Sequence, residues 1–143
     1  MNNNFSDNMK ANWGVQYIRT DGYVSGAGYP IITVISSKRE LDQYYEKYKD
    51  IYYLSSGRFL DAIEKYTDGF FANRFIVFVI LEEGSGSIRH TVENVEENGN
   101  IIISRSLPQI GTMDMAQWHI VIEFDNSFKP DKFSVAFYEI ILP

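Results

Sequence analysis

The chain has no cysteine, which excludes disulfide staples, thiolate metal sites and cysteine nucleophiles. Proline is scarce at four residues and histidine scarcer at two, with no His-x-His or His-Glu-x-x-His spacing to signal a metal centre. Basic residues number 13 against 19 acidic ones, a formal net charge of −6. They are scattered, with Lys38-Arg39 the one adjacent pair. Nucleic acid is therefore excluded as the default partner, because phosphate binding rests on clustered Lys and Arg. The longest apolar run is Phe75–Leu81, far short of the roughly 20 residues a membrane-spanning helix needs. Met1–Lys10 is polar and lacks the apolar centre of a signal peptide. The expected location is cytoplasmic, or exported or surface-associated if a signal has been removed; residues 1–11 are expected to be a disordered lead.

What the chain does have is aromatic residues, at 15%, with ten Tyr and ten Phe. Such enrichment suits strands and also recognition surfaces. At 143 residues the chain is long enough to bury a core, and 12–143 is expected to form one β-rich domain. Trp13–Ile18 and Pro30–Ile35 read as strands around a glycine-punctuated loop at 21–28. Then the period changes. Ser37 with Glu40 fits a capping box, and Leu41, Tyr44, Tyr45 and Tyr48 recur at helical spacing, which predicts a helix over 38–49. Phe59, Ile63 and Tyr66 predict a second helix over 58–66, ended by Asp68-Gly69, with a short turn at Phe70-Phe71.

From Phe75 onward strands are predicted at 75–81, 87–96, 100–107, 117–124 and 132–141. The unbroken run at 75–81 predicts a strand buried on both faces. Asn98-Gly99 marks a hairpin, and the phase slip between Val92 and Val95 predicts a bulge near Glu93-Asn94. The fold class that follows is α+β. It is a mainly antiparallel β-sandwich or curled sheet, with two helices (38–49 and 58–66) inserted between the second and third strands.

The succession of Phe75–Leu81, the Gly84-Ser-Gly-Ser87 turn, Ile101–Leu107, Pro108 and Trp118–Phe124 resembles the C-terminal domain of the bacterial protease-complex accessory protein PrcB. The matching stretch runs over about residues 70–124. Where such domains carry a Pro-Thr-Gly-Gly-Tyr type turn, this chain reads Glu83-Gly-Ser-Gly-Ser-Ile88. A glycine turn projecting from a sandwich is also similar to the chagasin-type inhibitors of cysteine proteases, whose loop motifs are not present here. The resemblance implies an accessory or interaction domain of exported origin.

Candidate functional residues come from the polar bends. If the segments 82–90 and 108–119 reach one rim, Glu83, Ser85, Ser87, Arg89 and His90 meet Gln109, Thr112, Asp114, Gln117, Trp118 and His119. Polar groups beside a Trp suit a protein or peptide partner. Tyr44, Tyr45, Tyr48, Tyr52 and Tyr53 form a second candidate surface, although core packing accounts for most of them. His90 and His119 would approach each other if their strands were neighbours, with Glu82, Glu83, Asp114 or Glu123 to complete a metal site. Half-exposed histidines bonded to nearby groups are the simpler reading, and no metal or cofactor is expected. A Ser-His-Asp set can be assembled from Ser85 or Ser87, His90 or His119, and Asp114. However, Gly84-Ser-Gly-Ser87 is neither a Gly-x-Ser-x-Gly elbow nor a phosphate loop. Glu82 and Glu83 point to opposite faces of a strand and read as a solvated strand end.

The functional expectation is a non-enzymatic protein- or peptide-interaction domain of an exported or surface-associated bacterial-type protein. It would engage a protease or surface complex through loops 82–90 and 108–119 or a sheet edge. The rival readings are a small hydrolase using His90 or His119 with Asp114, and a small-molecule sensor with a pocket between helices and sheet.

Overall fold

Every residue from Phe75 to Leu81 is buried in the computed structural model, which describes residues 13–22 and 28–143. The expected lead at 1–11, and residues 23–27 of the expected loop at 21–28, lie outside the described residues. Strand β3 (Arg74–Glu83) is covered on both faces because it sits inside a three-layer stack. The middle layer is a four-stranded antiparallel sheet in the order β1-β6-β3-β2, formed with β1 (Gly14–Arg19), β2 (Ile31–Ile35) and β6 (Ala116–Asp125). A three-stranded sheet packs on one side, in the order β4 (Arg89–Val95), β5 (Asn100–Leu107) and β7 (Ser134–Ile141). Helices α1 (Lys38–Tyr48), α2 (Gly57–Ile63) and α3 (Asp68–Phe71) cover the other side. The chain is thus α+β and mostly antiparallel, and the pairing of β5 with β7 is parallel. No helix among the described residues is long and apolar enough to cross a membrane.

Period-two alternation sorts β3 and β6 between two cores. Val77, Val79 and Leu81 with Ile120, Ile122 and Phe124 face the second sheet, where Val92, Ile101 and Ile103 meet them. Ile76, Phe78, Ile80 and Val121 face the helices, against Leu41, Tyr44, Phe59 and Tyr66. Burial of this kind is worth about 25 cal/mol for each Å² of apolar area removed from water, so the doubly covered β3 is the energetic centre of the fold.

Local signals acted as the residue types dictate, with some changes. Ser37 Oγ accepts from the Glu40 amide at 3.1 Å, while the Glu40 carboxylate reaches back to the Ser36 amide at 2.7 Å, one residue beyond the capping-box position. Beyond α1, the Leu54 amide donates to the Lys49 carbonyl at 2.9 Å across Tyr53, which takes φ 54°. A tyrosine therefore fills a left-handed position usually given to glycine. The second helix stops at Ile63, short of the expected 66, because Tyr66 turns inward and is fully buried. Thr67 then caps α3 by accepting from the Phe70 amide, so Asp68-Gly69 starts a one-turn helix where a stop was expected. The bulge expected near Glu93-Asn94 is present as a register shift between Val92 and Asn94.

Candidate functional site

The turn after β3 and the loop before β6 meet. Ser85 Oγ lies 2.7 Å from Ser87 Oγ and 3.0 Å from Thr112 Oγ1, and the Thr112 amide donates to Ser87 Oγ at 3.2 Å. The Gly86 amide donates to Asp114 Oδ1 at 3.2 Å. Arg19, at the end of β1, donates from Nη2 to Asp114 Oδ2 at 2.9 Å and from Nε to Asp21 at 2.6 Å. Hydrogen bonds from Thr112, Arg19 and the Gly86 amide hold the Asp114 carboxyl well below the usual carboxylate range. Gly86 has a steric reason to be glycine: a Cβ there would meet the Asp114 carboxylate and the Arg19 guanidinium. Above this polar staple the loop points apolar groups at solvent, with Ile110 91% and Met113 99% exposed. Gln109 is exposed beside them.

Arg89, Trp118 and His90 form the flank of this site. The Arg89 guanidinium lies over the Trp118 ring, 5.6 Å from its centroid, and donates to the Gly86 carbonyl. His90 packs edge-on against the same Trp at 5.8 Å. Its Nε2 meets Glu83 Oε2 at 2.7 Å, and Arg105 grips Glu83 from Nε at 2.8 Å and Nη2 at 2.6 Å, with Nη1 on Glu139 at 2.6 Å. Burial alone would raise the Glu83 carboxyl, but the Arg105 and His90 hydrogen bonds and charges outweigh it and bring it down to about 2. Glu83 is therefore a buried ion-pair hub, which corrects the expectation of a solvated strand end.

Gln117 and His119 leave the site. They lie on the helix face of β6, because Trp118 between them takes the opposite face. His119 is 0% exposed and bridges Tyr44 Oη (2.8 Å from Nε2) and Thr20 Oγ1 (3.0 Å from Nδ1). Thr20 in turn donates to Gln117 Oε1 at 3.0 Å, and Gln117 Nε2 donates to Tyr29 Oη at 3.1 Å. That direction places the imidazole proton on Nδ1 and makes Tyr44 the donor to Nε2. Burial pushes the His119 imidazole down to about 3 and the Tyr44 hydroxyl well up, so both stay neutral at ordinary pH. The two histidines thus face away from each other, β4 and β6 belonging to different sheets, so the condition for their rings to approach is not met, and both are buried where half-exposed residues were expected. Of the tyrosine surface, Tyr44 and Tyr52 are buried, Tyr45 and Tyr48 pack partly against the core, and only Tyr53 is exposed.

What the rim can do chemically follows from these partners. Ser85 and Ser87 bond to each other and to Thr112, His90 bonds to Glu83, and Asp114 bonds to Arg19 and Gly86. No hydrogen bond links either serine to a histidine, or either histidine to Asp114, as a nucleophile and its base require. Among the described residues no three of His, Asp and Glu converge to hold a metal ion. The space between helices and sheet is filled by Leu41, Tyr44, Tyr52, Phe59 and Tyr66, and a cleft of about 690 Å³ lies instead between β2 and the 126–133 segment.

Two residues of the site went unread in the sequence. Arg105 carried a signal: it continues the inward phase of Ile101 and Ile103, as Glu83 continues that of Val79 and Leu81. Opposite charges at inward positions of facing sheets announce an ion pair. Arg19 carried none, since only the fold brings β1 beside β6. The chain matches no protein-family model, no curated protein and no solved structure.

Proposed function

We propose that the chain is a non-enzymatic interaction domain that grips a protein or peptide through the loop before β6 and the turn after β3. The observation that carries this reading is the pairing of exposure with fixation. Ile110 and Met113 stand almost wholly in solvent on a loop whose base is held by Ser85, Ser87, Asp114 and Arg19. Presenting apolar groups on a preorganised loop lowers the ordering cost of association, and methionine adapts to the surface it meets. Trp118 and Arg89 beside the loop supply residue types that dominate binding energy at interfaces. The resemblance to the PrcB-type domain makes a protease or surface complex of an exported bacterial-type protein the first partner to try.

The test compares wild type with Ile110→Ser/Met113→Ser as baits for purified candidate complexes. The two side chains make no buried contact, so the variant keeps its melting temperature. Loss of capture in the folded variant supports the loop surface, and equal capture by both baits sinks it.

A further inference from the structure

The two sheets do not match in width. Among the described residues four strands stand in one and three in the other, and the open place lies at one side. At the far side β4 lies by β1, where Tyr17 Oη accepts from the Val92 amide at 2.8 Å and the Val92/Asn94 bulge breaks the edge. At the near side neither device occurs among the described residues. There the inward face of β2, bearing Ile32 and Val34, looks onto the 690 Å³ cleft, and Val34 is 45% exposed. A second cavity of about 220 Å³, lined by Pro30, Leu81, Arg105 and Phe137, lies toward the other end of β2 and β7.

Strand β7 borders this opening with an edge that is unpaired among the described residues. The Ser134 and Leu142 amides donate toward the β5 side, to the carbonyls of Gly99 and Leu107. By alternation the amides and carbonyls of Val135, Phe137, Glu139 and Ile141 point away from β5, where no further strand pairs among the described residues. From Ser134 to Ile141 the strand has no proline, lysine or bulge, its one charge, Glu139, is drawn onto Arg105, and Phe137, Tyr138, Ile140 and Ile141 are exposed. The cleft end of the opening carries Lys129, Asp131 and Lys132; neither lysine has an ion-pair partner among the described residues, and the three together leave a net positive charge there.

We infer that β7 takes up an extended segment of a partner protein as the missing fourth strand, running antiparallel to β7 over Ile32 and Val34. The row of outward backbone groups calls for a strand, and the floor calls for apolar side chains at alternate positions. An antiparallel strand brings its C-terminal end to the start of β7, so the two lysines select an acidic residue there. This edge is a different surface from the Ile110/Met113 loop. It rests on the interaction-domain reading only in requiring a protein partner, so it stands or falls independently of the loop variants.

The probe is the acetylated, fluorescein-labelled peptide Val-Thr-Val-Thr-Val-Thr-Val-Asp-Asp, with a counterpart ending in Lys-Lys. Anisotropy titration should show saturable binding of the acidic form, weakened about tenfold or more by Lys129→Glu/Lys132→Glu, which should in turn favour the lysine form. Val34→Asp should abolish both. Amide exchange with the peptide present should slow at Val135, Phe137 and Glu139. Binding without protection of these amides overturns the proposal, as does no binding, or equal binding to the charge-reversed variant. Dodecanoate displacing the peptide without protecting β7 would assign the cleft to a lipid-like ligand instead. Concentration-dependent protection of β7 without peptide, with dimers in sedimentation, would assign the edge to a second copy.

Discussion

Arg19 and Asp114, 95 positions apart in sequence, meet at 2.9 Å and tie the end of β1 to the loop that leads into β6. Arg19 is partly and Asp114 about half exposed to solvent, which screens the pair, so its worth lies in fixing the loop rather than in global stability. Gly86→Ala should release that tie, because its methyl would enter the space of both side chains. Side-chain ends can move aside, so the fold should survive with little change in melting temperature. Exchange of the Thr112 and Ser87 amides should rise by about tenfold. Unchanged exchange would mean the staple does not hold the loop.

A glycine of the opposite character sits in the β4–β5 turn. Gly99 has φ +91°, and a Cβ there would meet the Lys132 carbonyl, with Pro130 Cβ at 2.9 Å. Here the obstacle is backbone, and Gly99 also accepts from the Ser134 amide at 3.1 Å, which sets the start of β7. Gly99→Ala should cost about 2 kcal/mol or more in urea unfolding. Asn98→Ala, which removes only the acceptor for the Asn100 amide, should cost about 1 kcal/mol or less. Equal losses would show that conformation and close approach do not decide this turn.

Tyr66 ends α2 early for a reason that is also measurable. Its hydroxyl donates to the buried Glu123 carboxylate at 2.7 Å and accepts from Gln16 Nε2 at 2.7 Å, and Lys65 closes on Glu123 at 2.8 Å. Burial first and the hydrogen bond to Glu123 second push the Tyr66 hydroxyl well up, so it remains a donor. Tyr66→Phe should lose about 1–3 kcal/mol, because it strips partners from a buried carboxylate and a carboxamide. A double-mutant cycle with Glu123→Gln should return a coupling near 1 kcal/mol. Coupling near zero would mean that Lys65 alone satisfies the acid.

Such contacts mark where reading the chain stops. Strand β3, the bulge after Val92, the Asn98-Gly99 hairpin and the two-faced β6 were legible, because each is written in neighbouring residues as periodicity or turn chemistry. The rim cluster of Ser85, Ser87, Thr112 and Asp114 followed from short connections. What strand periodicity cannot encode is which strands share a sheet. With β4 and β6 placed in different sheets, His90 fell toward Glu83 and His119 toward the helices. The parallel pairing of β5 with β7 depends likewise on the long 126–133 connection, and with it the open edge beside β2.

His119 gives the fold a pH dependence whose sign can be derived. The native imidazole titrates near 3 because burial disfavours its charged form, against 6.5 for the free side chain. Between those values the unfolded chain takes up a proton that the native chain does not, so falling pH favours unfolding. The stability is complete above 6.5 and is lost progressively toward 3, with a slope approaching about 1.4 kcal/mol per pH unit. Glu83, also held low, contributes its own loss only below 4.5. Chemical denaturation between pH 6.5 and 4.5 therefore isolates the histidine. His119→Gln, which can keep partners in Tyr44 and Thr20, should remove this part of the slope while retaining the fold. All groups other than residue 119 are common to the two proteins, so they cancel in the comparison. Parallel stability curves for the two proteins would show that the buried imidazole takes up its proton as readily in the folded protein as in the unfolded chain.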